Sequence, residues 1–190
     1  LGVLMRVIAG KARRLQLKTV PGLGTRPTTD RIKETLFNII NNDLYDTNFL
    51  DLFSGSGAIG IEALSRGAKK AYFVENNRQA AICIQDNLKT TRLTDDAVVM
   101  KQNVKTALEE LNSRGVLFDI IFMDPPYNKL MEKDVLIFLA KSALIDKNSM
   151  IIVEADIETD FDYVKDLGFE ILRDKQYKTN KHIFLKLIGD

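Results

Sequence analysis

The chain has 190 residues, 45% of them hydrophobic and 28% charged, with a formal net charge of +1 at pH 7. This length fits one domain with a small extension, and the composition is ordinary for a soluble globular protein. No apolar run reaches the ~18 residues of a membrane span. The single Cys83 excludes an internal disulfide and a cysteine metal cluster, which favours a reducing cytoplasm.

Leu1 stands first, and the apolar stretch behind it is short and interrupted by Arg6, so no signal peptide is expected and Met5 reads as the native start. Residues 1–40 carry eight basic side chains against two acidic ones, which leaves the remainder mildly acidic. A basic segment on an acidic body suggests a polyanionic partner, most simply nucleic acid. A solvated basic arm accounts for the charge alone equally well, since the pI of 8.0 lies below the ~9 of many nucleic-acid-binding domains. Residues 3–9 and 14–18 read as two short strands around Gly10-Lys11-Ala12, a hairpin-like start. Pro21-Gly22-Leu23-Gly24 breaks the chain. Thr28 or Thr29 then caps a helix over 30–41, where Ile32, Leu36, Phe37 and Ile40 recur at helical spacing.

From residue 48 the pattern alternates. Strands are expected at 48–53, 70–75, 96–101, 117–123 and 149–154, with helices near 57–66, 77–91, 104–114 and 131–142. Such alternation implies an α/β fold with a parallel sheet covered on both faces. The continuous apolar runs at 120–123 and 150–153 suit strands buried on both sides. A short helix near 160–166 ends at Gly168. Strands at 168–176 and 181–188 flank Lys178-Thr179-Asn180, a hairpin spacing that turns the last strand antiparallel to the rest. There are no repeats, low-complexity tracts or second core.

Gly55-Ser56-Gly57-Ala58-Ile59-Gly60 fits G-x-G-x-x-G between a strand and a helix. Gly55 permits positive φ, Gly57 lets a ligand approach the backbone, and Gly60 lets helix and strand pack closely. Glu75 ends the next strand, where a carboxylate can accept hydrogen bonds from both hydroxyls of a ribose. The same pattern fits NAD. Asp51 argues against it, because a carboxylate at the end of the first strand would repel a pyrophosphate. It suits a cationic cofactor with an ammonium and a sulfonium, such as S-adenosylmethionine. The bland alternative is a glycine loop that only turns the chain. Asn103, after the third strand, can hydrogen-bond an adenine edge or cap the helix at 104–114.

Asp124-Pro125-Pro126-Tyr127 directly follows the most apolar strand, and open α/β sheets bind ligands beyond the carboxyl ends of their strands. The two prolines stiffen the loop and remove two N–H donors while keeping their carbonyls. A carboxylate plus a fixed carbonyl can accept both hydrogens of an exocyclic –NH₂, and Tyr127 can stack on the base that carries it. Accepting those hydrogens localises the nitrogen lone pair, so that the amine can attack a sulfonium methyl in line. The bland alternative is a rigid turn in which Asp124 caps the next helix.

These residues resemble the class I S-adenosylmethionine-dependent methyltransferases that methylate amines. Arg6-Val7-Ile8-Ala9-Gly10-Lys11-Ala12-Arg13-Arg14-Leu15 and Thr25-Arg26-Pro27-Thr28-Thr29-Asp30-Arg31 narrow the likeness to the bacterial RsmD family, across essentially residues 5–188. The resemblance implies a Rossmann-like fold: a mostly parallel seven-stranded sheet with an antiparallel last strand, helices on both faces, and a small N-terminal β-hairpin plus helix. It implies methyl transfer from S-adenosylmethionine, with S-adenosylhomocysteine as product, to the N2 amine of one guanine in 16S ribosomal RNA. It implies that Asp51, Gly55 and Gly57 face the methionine end of the cofactor and Glu75 its ribose. Phe53, Asn76 and Asn103 complete that set, and Arg26, Pro27 and Thr28 line the mouth of the pocket. Asp124, Pro125, Pro126 and Tyr127 would form the catalytic loop that holds the base. Arg6, Lys11, Arg13, Arg14 and Arg31 would grip RNA phosphates.

Asn103 departs from the pattern, where an aspartate is expected. Residues 1–45 would form an RNA-contacting extension and pocket lid, and 46–190 the catalytic domain. The expected partner is 16S RNA, the small ribosomal subunit or an assembly intermediate, met by a cytoplasmic monomer with no metal and no membrane. Rival readings are an adenine-N6 DNA methyltransferase, an NAD-dependent oxidoreductase and a non-catalytic RNA-binding module. His182 reads as structural or as a phosphate neighbour, Cys83 as core, and Leu50, Leu52 and Phe53 as core strand residues. Lys175, Lys178 and Lys181 read as a hairpin tip that can add to an RNA surface.

Overall fold

The computed structural model describes residues 5–20, 29–126 and 131–189. It divides into two compact units, Leu1–Val104 and Lys105–Asp190.

The first unit opens with strands β1 (Met5–Arg6) and β2 (Gln16–Leu17), paired antiparallel. Both are shorter than the sequence pattern suggests. The reason is where the intervening N–H groups go. Those of Ile8 and Ala9 donate to the Glu62 carboxylate at 2.8 and 3.0 Å, and those of Lys11 and Ala12 donate to Ser65. The hairpin therefore splits its donors: the N–H groups of Val7 and Arg14 bond across it, while those of Ile8, Ala9, Lys11 and Ala12 go to α2. Helix α1 (Asp30–Ile39) starts at Thr29, whose hydroxyl accepts from the Ile32 N–H, and it buries Leu36 and Phe37.

Then come β3 (Asn48–Leu52), α2 (Ala58–Ser65), β4 (Lys70–Val74), α3 (Arg78–Thr91) and β5 (Ala97–Met100). The three strands lie in the order β5-β4-β3 and pair parallel, with Leu52 opposite Val74 and Val74 opposite Met100. All eight residues of α2 are buried, as expected of a helix covered on every side. Its Gly60 packs so closely on β4 that a Cβ there would come 2.3 Å from Phe73 Cε1.

Helix α4 (Val104–Ser113) leads into the second unit, followed by β6 (Ile120–Met123), α5 (Met131–Leu139), β7 (Met150–Asp156), β8 (Phe169–Gln176) and β9 (Asn180–Leu187). Here the order is β6-β7-β9-β8. β6 and β7 are parallel, and β9 is antiparallel to both β7 and β8. The final strand thus inserts between its two predecessors, which explains why its first six residues are all buried. The expected helix near 160–166 is only a 3-10 turn, Asp162–Val164, pinned by buried Phe161 and Val164. β8 carries a bulge between Ile171 and Arg173. Together β3 to β9 make a mostly parallel seven-stranded sheet with an antiparallel last strand. Among the described residues no helix is long and apolar enough to cross a membrane.

Candidate cofactor and substrate site

The glycine loop leaves β3 through three left-handed residues in five positions: Phe53 at φ 61°, Gly55 at 55° and Gly57 at 79°. Glycine adopts this region freely, but a phenylalanine there is strained, and such strain concentrates at functional loops. Phe53 is consequently half-exposed and lies just past the strand, which corrects its reading as a core strand residue. Leu50 and Leu52 are fully buried.

Two carboxylates pin the loop. Glu75 accepts from the Gly55 N–H through Oε2 and from the Asn77 N–H through Oε1, both at 2.8 Å. A carboxylate has about four acceptor positions, so Glu75 keeps capacity for two more donors. Asp51 is 1% exposed. Its Oδ2 accepts from the Gly60 N–H at 3.0 Å, in the first turn of α2, where helix N–H groups lack internal partners. Burial above all, with a contribution from Glu75, raises the Asp51 pKa to about 7 against the Gly60 bond that lowers it.

The two glycines differ in surroundings. A Cβ at Gly55 would meet no described atom within 4 Å, so the loop is open on that side, while a Cβ at Gly57 would lie 3.2 Å from Ile84 and 3.4 Å from Phe73. Asn76 is exposed beside Glu75, and Asn103 is exposed immediately before α4. This donor set fits a nucleoside cofactor: open backbone at Gly55, spare acceptors on Glu75, and a buried carboxylate whose ionised form a nearby cation would favour.

In the second unit, Asp124 is half-buried directly after β6, Pro125 is buried and Pro126 exposed. Tyr127 lies outside the described residues, as do Arg26, Pro27 and Thr28. In the basic arm Arg6 pairs with Asp30 at 2.9 Å and Lys11 with Asp96 at 3.3 Å. Arg13, Arg14 and Arg31 are exposed.

Lys33, counted with the arm on charge alone, is instead fully buried, 3.6 Å from Glu62. Burial pulls its pKa down, partly offset by Glu62 and Asp30. Glu62 also takes Arg66 at 2.8 Å. Sequence reading missed this cluster by counting Lys33 as a solvated charge, although its i, i+3, i+4 spacing with Leu36 and Phe37 puts it on the buried face of α1. Lys181 is likewise buried, with its Nζ 5.6 Å from the Phe161 ring, which corrects its place at an exposed tip; Lys178 is exposed and Lys175 half-buried. Cys83 is in the core. His182 is fully buried and bonded to Glu154 and Tyr177, a structural placement.

A mostly parallel seven-stranded sheet whose antiparallel last strand inserts between its two predecessors, with a glycine loop after its first parallel strand and an acidic residue ending the next, is the arrangement expected of a class I methyltransferase. A family model described as "Conserved hypothetical protein 95" matches residues 5–186, and the chain belongs to that family. It is 40% identical over 156 residues to the "Putative rRNA methyltransferase YlbH" of Bacillus subtilis, covering 82% of this chain and 85% of that protein. It is 35% identical over 154 residues to the ribosomal RNA small subunit methyltransferase D of Escherichia coli K12, covering 81% and 76%. Among solved structures, the E. coli "Putative methyltransferase yhhF" superposes with a TM-score of 0.83 at 32% identity, over 96% of this chain and 97% of that one.

Proposed function

We propose that this protein transfers a methyl group from S-adenosylmethionine to the exocyclic N2 amine of a guanine in 16S ribosomal RNA. Support comes from family membership, from relatives named as small-subunit rRNA methyltransferases, and from one observation above all: an acidic, donor-poor loop, Asp124-Pro125-Pro126, standing at the carboxyl end of a wholly buried strand. The cofactor, when bound, supplies an electrophilic methyl on a sulfonium. Glu75 would accept from its ribose hydroxyls, Asp51 would favour its positive charge, and Phe53, Gly55, Gly57, Asn76 and Asn103 would line it.

Asp124 and the Pro125 carbonyl would accept the two amine hydrogens, localising the nitrogen lone pair for attack. Methylation makes that nitrogen acidic, and its proton leaves to Asp124 or to water. Tyr127 would stack on the base, which must leave its own stack at a cost of a few kcal/mol. Arg26, Pro27 and Thr28 would close over the pocket. In this reading residues 1–45 serve as the RNA-contacting segment and 46–190 as the catalytic domain of a cytoplasmic monomer, acting on free RNA, an assembly intermediate or the subunit.

The test is methyl incorporation from labelled cofactor into 16S RNA, small subunits and duplex DNA. Transfer is expected to guanine N2 of the RNA; transfer to adenine of the duplex instead would overturn the substrate assignment. Asp124→Ala should lower kcat by about 10²-fold or more, with cofactor affinity measured by calorimetry unchanged. Near wild-type turnover of this variant would refute the mechanism.

A further inference from the structure

Four polar groups form a chain within the second unit, buried except at half-buried Tyr177. Asn180 Nδ2 donates to Glu154 Oε1 at 2.7 Å, Glu154 Oε2 lies 3.0 Å from His182 Nε2, and His182 Nδ1 lies 3.2 Å from the Tyr177 hydroxyl. Glu154 and His182 are buried. The family's reaction as proposed above gives them no task. Burying a carboxylate and an imidazole together is costly unless the partners are exact in geometry, so a chain of this kind rigidifies whatever strands it joins.

Those strands are β7 and β9, next to β6. Met123 is opposite Val153 in the parallel β6–β7 register, so Asp124 and Glu154 each stand one residue further on. Glu154 is opposite His182 in the β7–β9 register, and Lys175 of β8 is opposite His182 on its other side. The same-face side chain on β6, Phe122, meets the His182 ring edge-on at a centroid distance of 6.0 Å. Tyr177 meets that ring in the same manner at 5.1 Å.

The partners also set the tautomer. A carboxylate accepts, so Nε2 carries the hydrogen toward Glu154; Nδ1 then accepts from Tyr177. Burial first, and Glu154 second, push the Tyr177 hydroxyl up to about 12, which keeps it a donor. Without that donor Glu154 still holds the hydrogen on Nε2, but Nδ1 loses its donor and the ring loses one of the two bonds that fix its orientation.

We propose that Glu154, His182 and Tyr177 are positioning residues that hold the carboxyl end of β6, and so aim Asp124 at the amine; this rests on the reading of the reaction given above. Phe122 and the strand register transmit the constraint. Tyr177 acts through the orientation of the histidine ring rather than by touching substrate.

The chain contains a single histidine, so the long-range ¹⁵N–¹H spectrum of its imidazole needs no assignment. Tyr177→Phe removes one oxygen and keeps the ring. Expected results are an Nε2–H tautomer kept by Glu154 with a shifted Nδ1 resonance, a fall of about tenfold in kcat, an unchanged KM for cofactor and a melting midpoint within a few degrees of wild type. Glu154→Gln, equal in volume, should give a similar kcat loss, and the double variant should be no worse than the worse single one. Unchanged kcat in Tyr177→Phe, or losses that track only a lowered melting midpoint, would overturn the positioning role while leaving the reaction standing. A wild-type chain with no methyl transfer would sink the reading of the reaction, and the positioning role with it.

Discussion

Asp51 carries a conflict that can be measured. It is buried, its one described donor is a backbone N–H, and its pKa rises to about 7. In the unfolded chain an aspartate titrates near ~4. Between those values the folded protein holds a proton that the unfolded chain has released, so this group's contribution to stability falls as pH rises and is fully lost above about 7. Asp51→Asn removes the titration and keeps an acceptor for Gly60. Urea unfolding of the ligand-free protein at pH 5 and pH 8 should therefore show a difference between the two pH values that is roughly 2–3 kcal/mol less adverse to pH 8 in the variant. An identical pH dependence in both proteins would show that Asp51 is ionised throughout. At this scale the sequence was informative about identity but not about partners. The G-x-G-x-x-G spacing and the acidic strand end are local patterns. That Asp51 would meet the first turn of α2, and that Phe53 would take a left-handed conformation, depends on how the loop folds back.

Among the elements, the N-terminal hairpin shows how the body of the fold overrides local pairing. Its two-residue strands cannot stand alone; a short two-stranded hairpin is marginal in water. Glu62 of α2 holds it through two backbone N–H groups while also facing Lys33 and Arg66. Ser65 and Asn87 add further bonds, the latter to both the N–H and the carbonyl of Lys18. Gly10 is required at the crossing, since a Cβ there would come 1.9 Å from the Ser65 carbonyl oxygen at a φ of 83°.

Glu62→Gln turns an –NH₂ toward groups that are themselves donors and leaves the buried Lys33 without its counter-charge. It should cost about 3 kcal/mol in urea unfolding. Lys33→Met removes one partner of the pair and the donor to the Arg6 carbonyl, but leaves Glu62 with Arg66 and two backbone N–H groups, so it should cost less, about 1–2 kcal/mol. Equal losses from the two would mean that the network's charge is irrelevant. The pairing was not visible in the sequence, because Lys33 meets a residue 29 positions away on a different element.

At the scale of the molecule, the proposed RNA contact depends on net exposed charge. With Lys33 inside and Arg6 and Lys11 paired to Asp30 and Asp96, the arm offers fewer free cations than its composition suggests. Arg13, Arg14 and Arg31, exposed and without an ion pair among the described residues, are left to meet phosphates. Replacing Arg13 and Arg31 with Gln should weaken 16S RNA binding and flatten the plot of log affinity against log salt by about 1–2 units of slope, with melting unchanged. An unaltered slope would place the RNA elsewhere.

The sequence by itself determined the alternation of strands and helices, the buried character of β6 and β7, the glycine loop and the antiparallel final strand. Each of these is written in short-range periodicity and turn residues, and each is a matter of neighbouring amino acids. Only the tertiary structure decided that β9 inserts between β7 and β8, that part of the hairpin's hydrogen bonding goes to α2, and that Lys33, Lys181 and His182 lie inside. Those outcomes turn on which buried donor finds which acceptor, and the partners are separated by tens of residues along the chain and a few ångströms in space.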